Sequence, residues 1–184
     1  MEAYAGWMEN NRKDLEEPLT VDSIRNAAKL WGMKITHDKK GRLVWWIDLG
    51  TMGLETIKKE LPHKDSLRYI VWQAHLVMLD AGAQQNGMIF AEAMALKGMF
   101  ECFTVLPIDL GAKLDRLTIG CMPVKMKACY IIHGAKWIHI VTALMQPFLS
   151  NKMRQRIIVV PKTPGPQQIL DEEVGRDHIP AGFG

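Results

Sequence analysis

A chain of 184 residues, 48% hydrophobic and 23% charged, is long enough for one domain with its own core and too apolar to remain disordered. No apolar run is long enough to cross a bilayer, and Met1-Glu2-Ala3-Tyr4 does not begin a basic stretch followed by an apolar one, so neither a span nor a secretory signal is expected. The formal charge of +3 is segregated: from Arg116 to Leu170 there are eight basic residues and no Asp or Glu, which leaves 15 basic against all 20 acidic residues elsewhere. Such asymmetry suits an anionic partner, nucleic acid or acidic lipid headgroups alike.

Residues 1–20 read as the end of a helical region. Asp22 can cap a helix running to about Leu30, with Gly32 after it. Lys39-Lys40-Gly41 is a turn, and Leu43–Ile47 follows as a strand apolar enough to be covered on both faces. Asp65 or Ser66 is expected to cap a long helix whose Leu67, Ile70, Val71, Ala74, Met78 and Ala81 recur at helical spacing, with Gly82 at its end. Asn86-Gly87 is a turn signal. Met88–Leu96 is ambiguous, helical by propensity and strand-like by context. A helix from about Leu106 to Ile119, a strand Met126–His133, a helix Ala135–Gln146, a strand Arg156–Val160 and a short helix near Gln167–Val174 complete the chain. Alternating strands and helices predict an α/β fold with a mixed, mainly parallel sheet.

Signatures of chemistry are scarce. Gly50-Thr51-Met52-Gly53 lacks the spacing and lysine of a phosphate loop, and Ser66 and Ser150 lack a glycine-flanked elbow. No His or Cys pair has metal-ligand spacing, and Cys102, Cys121 and Cys129 read as reduced, buried thiols. The unusual element is Lys136–Gln146, in which only Lys136, His139, Thr142 and Gln146 are polar. Such a helix is either fully buried or covers something apolar that comes and goes. Pro147 and the basic Lys152, Arg154 and Arg156 follow, a combination suited to a membrane surface.

Two runs carry a family resemblance: Met122-Pro123-Val124-Lys125-Met126-Lys127-Ala128-Cys129-Tyr130-Ile131-Ile132-His133 with Trp137, and Gln146-Pro147-Phe148-Leu149-Ser150-Asn151-Lys152-Met153-Arg154-Gln155-Arg156-Ile157. With Asn86-Gly87, Lys97-Gly98 and the ending His178-Ile179-Pro180-Ala181-Gly182-Phe183, they resemble the lipid-binding lobe of CRAL-TRIO domains, and within them the tocopherol-transfer and retinaldehyde-binding branch. The resemblance implies a remnant of an N-terminal helical region over residues 1–40 and a lipid-binding domain over 41–184. It implies a sheet flooring an apolar pocket, helices on one side, a mobile gate helix, and a strand at Met88–Leu96. Pocket positions fall on Phe90, Met94, Leu114, Leu117, Met122 and Cys129, and Glu92, on the strand face of Phe90 and Met94, is the candidate polar contact. The gate falls on Trp137, Ile138, Val141 and Met145, and phosphoinositide headgroups on Lys125, Lys127, Lys152 and Arg156.

The implied function is a soluble, cytoplasmic carrier of one small hydrophobic lipid, transiently bound at phosphoinositide-containing membranes. Neither nucleic acid, cofactor, metal nor catalytic residue is expected. The alternative is a cargo-free interaction module in membrane signalling. Four features depart from the family pattern: Val124 replaces a Glu, Ala95 an Asp and Gly182 the closing Glu, and only Tyr4 to about Leu15 resembles the preceding helical region.

Overall fold

In the computed structural model, residues 2–95, 98, 101, 103, 107–134, 136–145, 151–161 and 165–183 are described. Five strands form one sheet in chain order: β1 Lys34–His37, β2 Leu43–Asp48, β3 Met88–Ala93, β4 Met126–Ile132 and β5 Ile157–Val159. β1 pairs antiparallel with β2, while β2–β3, β3–β4 and β4–β5 are parallel. The strand expected from Leu43 is buried at every position to Ile47 because both faces are covered. β1 was not legible, being four residues of mixed polarity; the turn after it is held by the Asp38 carboxylate, which accepts from the Lys40 and Arg42 amides at 2.9 and 2.8 Å.

One face carries most of the helices: α1 Glu2–Asn10, α2 Val21–Trp31, α3 Leu54–Glu60, α4 His63–Leu79, α5 Ala81–Asn86 and α6 Ile108–Asp115, which runs into a π-helical turn, Arg116–Cys121. Trp7, Ile24, Trp31, Ile57, Val71, Ala83 and Leu114 bury there against Trp45 and Phe90. Of the ambiguous Met88–Leu96, Met88–Ala93 is a strand, as the family resemblance implied, and Leu96 lies outside the described residues. Beyond β4 come α7 Ile138–Met145 and the short α8 Asn151–Arg154, and α9 Pro166–Glu173 precedes the last turns. α9 covers the opposite face, where Leu170, Val174 and Phe183 seal Val44, Trp46, Ile89 and Tyr130.

Several ends differ from expectation. α2 is capped by Thr20, whose hydroxyl accepts from the Ser23 amide at 3.2 Å in a capping box; Asp22 instead pairs with Arg25. α4 begins at His63, and Ser66 is buried, its hydroxyl accepting from the Trp31 indole at 3.0 Å. α4 stops at Leu79, because Asp80 turns to cap α5 by accepting from the Ala83 amide at 2.7 Å, so Gly82 lies within α5. The helix expected over Ala135–Gln146 is described over Ile138–Met145, with Lys136 and Trp137 in a turn and Ala135 and Gln146 outside the described residues. No helix among the described residues is long and apolar enough to cross a membrane.

Candidate functional site

Strand alternation and register build the site. Trp45 stands beside Phe90 and Phe90 beside Cys129, one row across three strands on the helix-covered face. The Trp45 and Phe90 rings lie 4.8 Å apart. Two residues further along β3, Glu92 registers with Ile47 and Ile131. Met94 follows the strand, its amide donating to the Ile132 carbonyl at 2.8 Å. Leu114 from α6, Leu117 from the π-helical turn and Met122 after it descend on the same row. Phe90, Leu114, Leu117 and Met122 are buried in one cluster, with Met94 and Cys129 half-buried against it. The structure thus places the six apolar positions in or against the one core cluster of the helix-covered face.

Glu92 gives this region its electrostatic character. Burial, with the charge of Asp115 adding, pushes its pKa up from 4.5 to about 7. Asp115, the last residue of α6, is raised from 3.8 to about 6 by burial. Cys129 is held well above its ordinary range by burial, then by Glu92 and Asp115, which places the three side chains in one neighbourhood. Among the described residues neither carboxyl has a hydrogen-bond or ion-pair partner. Glu92, Asp115 and Cys129 nevertheless keep part of their surface open.

Two indoles share this situation. Among the described residues the Nε1–H groups of Trp45, which is fully buried, and of Trp137 have no acceptor, although both rings pack in the helix-covered cluster. Most buried polar atoms are paired, so two orphans in one cluster need a reason.

The gate positions divide. Trp137 lies in the turn before α7; Ile138 is buried beneath it, Val141 is half-buried, and Ile140 is exposed on the outer side. Met145 ends the helix. Leu144 and Met145 have no described side-chain surroundings.

Three of the four basic positions come together. Met88 registers with Met126 and Ile89 with Ala128, so Lys127 sits on a bulge. The Lys127 ammonium is held below its ordinary range by Lys125 first, with partial desolvation, Arg156 and Arg42 adding. Gly87, at φ +87°, admits this approach: a Cβ there would lie 2.4 Å from the Lys125 carbonyl oxygen. Arg156 is anchored through its carbonyl, which accepts from the Cys129 amide at 2.8 Å. Lys152 is exposed on α8, but that helix ends at Arg154, so Lys152 and Arg156 do not share the helical face their spacing suggested.

Two open grooves lie elsewhere. One, about 690 Å³, runs between α1 and α6, past Trp7, Asn10, Lys113 and Arg116. The other, about 710 Å³, lies beside Tyr4, Trp72, His75, Leu79 and Val124. Neither is lined by the seven pocket positions. Among the described residues no group of acidic, His and Cys side chains is arranged to hold a metal. Trp45, Asp115 and Arg42 were missed in the sequence; only the register of β2 on β3 and the approach of α6 reveal them.

A model of the CRAL/TRIO domain matches residues 31–184. The tyrosine-protein phosphatase non-receptor type 9 of Homo sapiens is 26% identical over 191 residues, covering 95% of this chain and 30% of the phosphatase. Its Rattus norvegicus counterpart is 26% identical over 134 residues, covering 68% of this chain and 22% of that protein. The chain therefore spans less than a third of the length of these curated relatives. The crystal structure of Sfh5 superposes with a TM-score of 0.63 over 93% of this chain and 61% of that one, at 13% identity, a likeness of fold.

Proposed function

The chain belongs to the CRAL/TRIO domain family, and on that footing we propose that it is a carrier that encloses one small hydrophobic lipid and exchanges it at phosphoinositide-containing membranes. Family and fold together support a lipid-binding or transfer module. The observation that carries the more specific reading is the meeting of Phe90, Met94, Leu114, Leu117, Met122 and Cys129 in one cluster, around partly open polar groups at one end of the sheet. Pockets for small ligands have this composition, apolar walls with a few placed polar groups. α7 is the gate in this reading: Ile138 faces inward and Ile140 outward, so a small rotation trades a protein environment for lipid.

Lys125, Lys127 and Arg156 form the headgroup site in this reading, with Lys152 exposed on the neighbouring α8. Like charges held together at a cost to Lys127 are a standing demand for an anion. This cluster also supports the tocopherol-transfer-like branch. The reading includes no catalytic step. A cargo-free interaction module is the second reading, favoured by the match to one segment of a longer phosphatase.

The test is lipid transfer between vesicles with and without phosphoinositide. The Ile138→Asp/Val141→Asp protein is expected to transfer at least tenfold more slowly while extracting cargo from detergent as before. Lys152→Ala/Arg156→Ala is expected to lose the preference for phosphoinositide vesicles and to keep cargo. Each residue near an anionic surface contributes about 1 kcal/mol, and the preference should fade with salt. Unchanged transfer by both variants contradicts the proposal.

A further inference from the structure

α4 carries two apolar stripes. The inner one, Ile70, Val71, Ala74 and Val77, is buried in the helix-covered core. Trp72, Leu76 and Leu79 follow one another at helical spacing and form a second stripe on the outside. Leu76 is 43% exposed, and Leu79, at 79%, is the most exposed large apolar side chain among the described residues. With Met78, Pro123 and Val124 they line the open groove of about 710 Å³. Polar atoms on its rim are already answered: the Tyr4 hydroxyl is bonded to His75 Nε2, and the Gln84 side-chain amide donates to the Met78 carbonyl at 2.6 Å. What the groove offers a partner is therefore mainly hydrocarbon. A helix that is apolar on its outer side as well as its inner one has a second surface to cover.

The groove runs into the basic cluster. Val124, on its wall, is followed by Lys125, whose carbonyl accepts from the Met88 amide at 3.0 Å where β3 begins. Gln84, also on its wall, belongs to α5, and the glycine that ends α5, Gly87, packs so closely on Lys127 that a Cβ there would lie 2.8 Å from the lysine Cε. Lys125 and Lys127 are both exposed. Asp80, next to Leu79, is held by His37 Nε2 at 2.9 Å and by the Ala83 amide at 2.7 Å, so its charge is already answered. The amino ends of β3 and β4 thus present apolar and cationic surface side by side. We propose that this end of the molecule is a face that sits on an anionic bilayer, with Trp72, Leu76 and Leu79 entering the acyl boundary while Lys125 and Lys127 meet lipid phosphates. This rests on the membrane-exchange part of the proposed function and deepens it by naming a docking face on elements other than the gate helix. A hydrocarbon stripe bordered by lysines matches the two layers of a bilayer interface, in which apolar burial and headgroup attraction add.

The experiment sediments the full chain with vesicles of phosphatidylcholine and phosphoinositide. Leu76→Ser/Leu79→Ser is expected to partition about tenfold or more weakly than the parent, at low and high salt alike, because what it loses is apolar burial. Lys125→Ala/Lys127→Ala is expected to weaken partitioning mainly at low salt, where charge is least screened. These four side chains are exposed, so both variants are expected to keep the parent's circular dichroism. Vesicles with bromine-labelled acyl chains are expected to quench the tryptophan emission of the parent and to quench Trp72→Phe markedly less. Equal partitioning of the parent and the folded leucine variant overturns the inference, as does equal quenching of the parent and Trp72→Phe. A dimer in analytical ultracentrifugation that the leucine variant lacks assigns the groove to a second copy of the chain and overturns it as well. A parent that binds no such vesicle is a different result: it removes the membrane-exchange reading, and this inference with it.

Discussion

Trp45 and Trp46 are adjacent in the chain, both buried, and placed on opposite faces of one sheet. On the far face the Trp46 indole donates to the Thr36 hydroxyl at 2.8 Å, and that hydroxyl donates to the His178 carbonyl at 3.1 Å. Its ring meets Phe183 edge-on at 4.6 Å. Nearby, the buried Asp38 carboxylate takes two backbone amides and the Arg42 guanidinium at 2.5 Å. On the near face, among the described residues, the Trp45 indole has no acceptor and the Glu92 and Asp115 carboxyls have no hydrogen-bond or ion-pair partner. On one face, among the described residues, the buried indole and carboxylate are answered inside the protein. On the other, the Trp45 and Trp137 indoles have no partner among the described residues. The contrast marks the helix-covered face as the one on which the proposed carrier reading can be tested.

The contrast can be broken by substitution. The largest effect is expected from Glu92→Gln in the ligand-free protein. Because the native state raises the Glu92 pKa from 4.5 to about 7, the folded form binds the proton more tightly than the unfolded chain. That contribution to stability is complete below about pH 4.5 and is lost as the pH climbs through about 7. The gap corresponds to roughly 3 kcal/mol, an upper figure because Asp115 titrates with it. Urea unfolding of Glu92→Gln should therefore show a gain of about 2 kcal/mol at pH 8 that disappears by pH 4. An equal effect at both pH values would show that burial of the carboxylate is not the cause.

A smaller effect is expected when the two tryptophans are compared. Trp46→Phe removes a satisfied donor, leaves the Thr36 hydroxyl only its bond to the His178 carbonyl and opens a cavity, costing about 2 kcal/mol. Trp45→Phe removes an orphaned donor, so the relief offsets the lost packing and the cost should stay below about 1 kcal/mol. Equal midpoint shifts in denaturant for the two variants would erase the distinction between the faces.

How much of this was legible beforehand depended on periodicity. The central strands announced themselves: Leu43–Ile47 is apolar at consecutive positions because both faces are covered, and the strand expected over Met126–His133 runs over Met126–Ile132. β1, α3 and α5 were missed, since four to seven residues carry too little periodicity, and α5 depends on Asp80 turning to cap it. The apolar pocket positions came from the family resemblance, and the sheet gathers them. Asp115 and Trp45 did not come from it, because their role exists only once α6 crosses β3 and register sets Trp45 beside Phe90. The pairing of Lys152 with Arg156 rested on helical spacing; the helix stops two residues short of Arg156, and the neighbours of that arginine are Lys127 and the edge of β4 instead.

The most direct test is native mass spectrometry of the purified full chain, with identification of any lipid in its organic extract. One lipid per chain is expected. A bare chain with no lipid in the extract, which also takes none from vesicles, would contradict the claim that the helix-covered face of the sheet holds a cargo.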